Sequence, residues 1–131
     1  MTLNLAEAQT EMLRLSRLID SGVDLMREQS HALAEAEEAY RLGAKAAWER
    51  CPIDPAEVRA GEREWTAARR EAWVKAETAA LRRERDKAEM LRDAAREAVR
   101  SRQTQLSAWQ TLVRAHQAEA EFARTAPGWA A

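Results

Sequence analysis

Glycine, proline and cysteine are close to missing from this chain. Four Gly and three Pro in 131 residues are too few turn formers to join many short strands, which excludes an all-β design. The single cysteine, Cys51, rules out an intrachain disulfide and cannot build a thiolate metal site by itself. No apolar run reaches the ~18 residues that a membrane-crossing helix needs. The first residues lack the basic-then-apolar order of a secretory leader, so the expectation is a cytoplasmic protein. A net charge of −1 gives no global attraction to nucleic acid or to an anionic membrane.

What is present is helix-forming sequence. Ala, Arg, Glu, Leu and Gln dominate, and a third of the residues are charged, the composition of long helices and coiled coils. The stretch from Glu62 to Arg124 contains neither Pro nor Gly. As one helix its residues would extend ~95 Å at ~1.5 Å each, and such a rod persists in water only when one face is covered along its length. Its apolar stripe reads Trp65, Ala68, Ala72, Ala76 and Ala79, then Ala88, Leu91, Ala95, Ala98 and Val99, then Leu106, Trp109, Leu112, Val113 and His116. Between Ala80 and Ala88 nearly every residue is polar, which predicts a stutter or local loosening. Ser101 to Gln105 is a second weak spot, rich in poor helix formers. A break there would give a three-helix bundle, the alternative architecture.

The cover for this rod is the first third of the chain. Asn4 with Glu7 fits a capping box, and Leu3 can staple onto Ala8. From there one heptad seam holds Leu5, Met12, Ile19, Met26, Leu33, Tyr40 and Ala47. The other holds Ala8, Leu15, Gly22, Gln29, Ala36, Gly43 and Arg50. The register is the same on both sides of Asp20-Ser21-Gly22, so one helix, bent at most at Gly22, is predicted over 4–50. Pro52 and Pro55, with an Asp54 and Glu57 capping box, predict a reversal over 51–61, before a long helix over 62–125 and a tail over 126–131. Nine acidic and six basic residues between Asn4 and Arg50, against nine and twelve between Glu62 and Arg102, give the two rods opposite net signs, which favours their pairing. The predicted fold is therefore all-α, a single domain built as a long antiparallel helical hairpin that self-associates into a bundle, most simply as a homodimer. The first rod would pair with residues up to about Ala108 and leave Trp109 to Arg124 overhanging; Leu106, Trp109, Leu112 and Val113 are the expected oligomer interface, because each such side chain is worth ~1.5–3 kcal/mol when buried. Phe122 lies on the same overhang.

Sequence motifs for catalysis are wanting. There is no Gly-rich phosphate loop, no serviceable Ser-His-Asp set and no paired carboxylates in an apolar context, so no enzyme and no cofactor are predicted. Glu28-Gln29-Ser30-His31 has the Glu-x-x-His spacing of carboxylate-bridged metal bundles, yet both residues fall off the seam and the motif occurs once, so no metal site is assigned. His116 reads as a polar seam residue, and Cys51, beside a helix C-terminus whose dipole opposes a thiolate, as a packing residue. One constellation carries binding chemistry. Trp48, Trp65 and Trp73 lie near the reversal among Lys45, Arg50, Arg59, Arg63, Arg69, Arg70 and Lys75. Such mixtures bind single-stranded nucleic acid by stacking and phosphate contact, and Trp65, Trp73, Arg69, Arg70 and Lys75 are the candidate contacts. The competing reading is that the tryptophans plug the end of the bundle under arginine stems, and Glu62, Glu64 and Glu71 dilute the patch in its favour.

The run from Ser101 to Leu112 (Ser-Arg-Gln-Thr-Gln-Leu-Ser-Ala-Trp-Gln-Thr-Leu), continuing to Ala120-Glu121-Phe122-Ala123-Arg124-Thr125, resembles small helical proteins encoded by phages and prophages of high-GC actinobacteria. Ala39 to Trp48 is similar too. Members of that group are generally unassigned, and some lie among recombination and replication genes. The resemblance implies a setting, a bacterial host cytoplasm, and assigns no residue a role. The expectation is a non-enzymatic accessory protein that binds a protein partner or single-stranded DNA during phage DNA recombination or replication. The competing class is a structural virion component or an inhibitor of a host nuclease or defence complex.

Overall fold

The computed structural model describes residues 3–52, 63–126 and 128, with side chains of the second segment from Thr66 onward. Three helices account for nearly all of it: α1 (Leu5–Arg50), α2 (Arg63–Glu77) and α3 (Ala79–Thr125). Asn4 starts α1 as its N-cap, its Oδ1 accepting from the Ala6 and Glu7 N–H groups at 3.0 and 3.2 Å, two of the donors a helix start leaves unpaired. At the other end the Cys51 N–H donates to the Trp48 carbonyl at 3.4 Å, a tightened last turn, and Pro52 prevents continuation. The expected reversal beyond Pro52, including the Asp54–Glu57 capping box, lies outside the described residues, as does the tail tryptophan, Trp129.

Packing divides the chain into two compact units, Met1–Met26 with Ala94–Ala131, and Arg27–Asp93. In the first, Ala8, Leu15 and Gly22 of α1 and Ala95 and Val99 of α3 are buried. Leu15, only 1% exposed, is the one large apolar side chain fully enclosed among the described residues. Met12, Ile19 and Met26, the row predicted to lead the seam, are half-buried, so the row of small residues goes deeper than the row of large ones. The reason is close approach: a Cβ on Gly22 would lie 2.8 Å from Val99 Cγ2. Arg102 Nη1 donates to the Leu18 carbonyl at 3.4 Å, and Trp109 lies beside Ala6, Thr10 and Glu11. Positions on α3 fall as those on α1 rise, so the two run antiparallel here.

The second unit repeats the direction. Gly43 of α1 receives the Leu81 side chain, and the Arg85 guanidinium lies 4.5 Å from the Tyr40 ring centroid. Ala32 and Ala36 line a groove with Ala88 and Leu91. Leu33, Ala47, Val74 and Ala88 are its buried apolar residues, joined by Thr66 and Thr78. Only Thr78 separates α2 from α3, and it is no reversal. Its N–H donates to the Val74 carbonyl at 3.0 Å and its own carbonyl accepts from Arg82 at 3.0 Å, both helical in span. Its hydroxyl also bonds the Val74 carbonyl, at 2.7 Å, the back-bonding by which threonine disturbs a helix.

The chain is thus an all-α helical hairpin, and three local expectations are corrected. No stutter occurs between Ala80 and Ala88: Val74, Thr78, Leu81, Arg85 and Ala88 step by four and three, all buried or half-buried. Arg85 holds the register because its aliphatic stem covers the seam while its head stacks on Tyr40. No break occurs over Ser101–Gln105, which lies within α3. There Thr104 Oγ1 donates to the Arg100 carbonyl at 3.1 Å, and Arg102 fills the seam, so the polar groups find partners without ending the helix. Finally, Ala68, Ala72 and Ala76 face solvent, and Thr66, Arg70, Trp73 and Val74 turn inward in their place.

Candidate functional site

Near the end of α1 the structure unites part of the tryptophan–cation set. The Arg70 guanidinium sits 5.0 Å from the Trp48 ring centroid, a cation–π distance, and its Nε is enclosed without a hydrogen-bond acceptor. Trp48 remains 39% exposed, while Trp73 is half-buried. Arg69 and Lys75 are exposed, and so are Lys45, Arg50 and the acidic Glu49 and Glu71. The Trp65 side chain lies outside the described residues. Arg70 therefore covers a ring face that a nucleobase would need, and the arginine-over-tryptophan arrangement holds for this pair. The Lys75 carbonyl accepts from Arg82 Nη2 at 2.7 Å, while the Lys75 side chain is exposed. Further along, Arg92 pairs with Asp93 at 3.0 Å and Arg100 with Glu97 at 3.9 Å. Both pairs are exposed in whole or part, a solvated face worth little in stability.

The second surface lies in the unit that holds the start of α1 and the end of α3. Leu106, Trp109, Val113 and His116 are half-buried, at steps of three and four. Trp109, expected to overhang, is met there by α1, and Val113, expected to overhang too, is half-buried. The uncovered part begins later, since among residues 117–125 every side chain is exposed. Leu112 is 52% exposed and Phe122 72%. Beside Trp109 an open depression of about 480 Å³ is lined by Ala6, Glu7, Thr10 and Glu11. On its rim Arg14 Nε donates to Glu11 Oε2 at 2.9 Å and a second guanidinium nitrogen bonds Oε1. This hydrogen bonding holds the Glu11 carboxyl below its ordinary pKa and raises Arg14.

Elsewhere there is little on which chemistry could be built. Glu28 and His31 are both exposed, and among the described residues no three His, Cys, Asp or Glu side chains come together as a metal cage would require. Cys51 is half-buried. No described helix is long and apolar enough to cross a membrane. Compared with known proteins, the chain matches no family model, no curated protein and no solved structure.

Proposed function

We propose that this chain is a non-enzymatic accessory protein whose work is to bind other protein through the exposed end of α3. The setting, DNA recombination or replication by a phage or prophage inside a bacterial host, follows from the resemblance described above. The observation that carries the reading is the contrast between Leu15, the one large apolar side chain fully enclosed among the described residues, and the exposed Leu112 and Phe122. Each is worth ~1.5–3 kcal/mol if covered, and a solvated helix end gains nothing by keeping them.

A second reading, single-stranded DNA binding, is favoured by Arg69 and Lys75 standing exposed on α2, the helix whose Arg70 meets the half-exposed Trp48. It is weakened by Arg70 lying on that ring.

Two assays separate them. The tagged chain is used as bait in cells carrying its native genes, beside a Leu112→Lys/Phe122→Lys variant checked for unchanged helicity. A partner captured by the first and lost by the second supports the proposal. Equal capture by both, or no capture, contradicts it. Fluorescence anisotropy with labelled single strands at low salt tests the other reading. Micromolar binding lost in Arg69→Glu/Lys75→Glu would move the function to DNA.

A further inference from the structure

Alongside the row that α1 covers, the end of α3 carries a second row at steps of four and three: Ala108, Leu112, Ala115, Glu119 and Phe122. All five are exposed. A repeat of this spacing is what a helix shows to another helix, and no described residue of this unit buries it. We infer that the row is the contact for a second copy of this chain, paired antiparallel about a two-fold axis at Ala115. The inference rests on the protein-binding reading above and names the partner.

The row is self-complementary. Setting Ala115 against Ala115 of the other copy brings Phe122 over the other copy's Ala108 and Trp109, where the depression lined by Ala6, Glu7 and Thr10 opens. An aromatic side chain and an open apolar hollow are thus carried by the same surface, and a two-fold uses each of them twice. The small side chains at Ala108 and Ala115 let the helix backbones approach. Arg124, two residues past Phe122, is a basic residue that the pairing brings toward the hollow, whose rim carries Glu7 beside the Glu11 already paired with Arg14. The overlap from Trp109 to Phe122 runs ~20 Å along each helix. Glu119 is the row's one charged position and falls opposite Thr111 of the other copy, where it weakens the pairing.

Sedimentation velocity on the full chain, from 1 to 100 µM on the scale of ordinary dimer affinities, reads the outcome. A dimer is expected, with Phe122→Ala raising its dissociation constant at least about tenfold and Glu119→Leu lowering it, both at unchanged helicity. Placement is read by disulfide trapping in a Cys51→Ser background that carries Thr10→Cys with Phe122→Cys. Within one chain residue 10 lies beside Trp109, ~20 Å along α3 from residue 122, so this bridge forms only between copies. A dimer closed by two bridges, absent from each single-cysteine control, supports the two-fold. A ladder of higher species, no bridge, a monomer throughout, or a dimer indifferent to Phe122→Ala overturns it. A monomer that still captures a partner through Phe122 would sink this inference and leave the proposed function standing.

Discussion

Replacing Gly22 by alanine sets two magnitudes against each other. In a solvated helix interior the change would stabilise by about 1 kcal/mol, the propensity difference between Gly and Ala. Here the added methyl arrives 2.8 Å from Val99 Cγ2 and 3.5 Å from an Arg102 nitrogen. Val99 is 6% exposed, and a β-branched side chain in a helix has nearly one rotamer, so it cannot swing aside. Overpacking of this kind costs about 1–3 kcal/mol. The expected net effect is a loss of up to about 2 kcal/mol. Val99→Ala alone, which removes two buried methyl groups, costs about 1–2 kcal/mol. In the double variant the methyl added at position 22 occupies the space that Val99 vacates, so the two losses do not add. A coupling of about 1 kcal/mol is expected, beyond the ~0.5 kcal/mol within which independent sites are additive. Urea titrations followed by helical circular dichroism, at one fixed protein concentration, resolve this. With a slope of ~2 kcal/mol per molar, a 1 kcal/mol change moves the midpoint by about 0.5 M. A Gly22→Ala variant more stable by the full helix-propensity gain, together with additive losses, would show that α1 and α3 do not touch at this point.

Two smaller perturbations test other parts of the packing. Asn4→Ala removes the acceptor for the Ala6 and Glu7 N–H groups and should cost about 1 kcal/mol; a thermal melt unchanged from wild type would place the start of α1 elsewhere. Arg85→Ala should cost about 1 kcal/mol through the lost stem and the lost contact with Tyr40, whereas Arg85→Leu keeps an apolar stem in the seam and should recover most of it; equal losses in both would mean that the charge, and not the packing, matters at this position.

Much of the hairpin is legible in the sequence because large side chains at heptad spacing leave little choice of face. Leu15, Leu33 and Val99 lie inward as their spacing requires. Where alanine carries the pattern, spacing misleads. Ala68, Ala72 and Ala76 bury so little area that Thr66 and Val74 decide how α2 faces. Leu91 and Leu112 share the stripe's spacing with the residues beside them, yet they sit on its flank and stay exposed. Arginine misleads in the opposite direction. Counted as polar, Arg85 and Arg102 read as interruptions, but their stems are apolar and each guanidinium finds a local partner in Tyr40 or the Leu18 carbonyl. The end-of-hairpin patch is legible as residues but not as geometry, because spacing cannot say that Arg70 settles on Trp48. Nor can it say that the hollow beside Trp109 opens next to Leu112, since that depends on where α1 begins along α3.

Hydrogen exchange measured by mass spectrometry at sub-micromolar and at 100 µM protein, concentrations that bracket ordinary dimer affinities, tests the central claim most directly. If the end of α3 is a surface built to be covered by a second copy, amides between Leu112 and Arg124 exchange more slowly in the concentrated sample, while those around Leu15 and Val99 do not change. Equal exchange at both concentrations over Leu112–Arg124 would mean that no second copy covers Leu112 and Phe122, and the self-pairing of this chain would be contradicted.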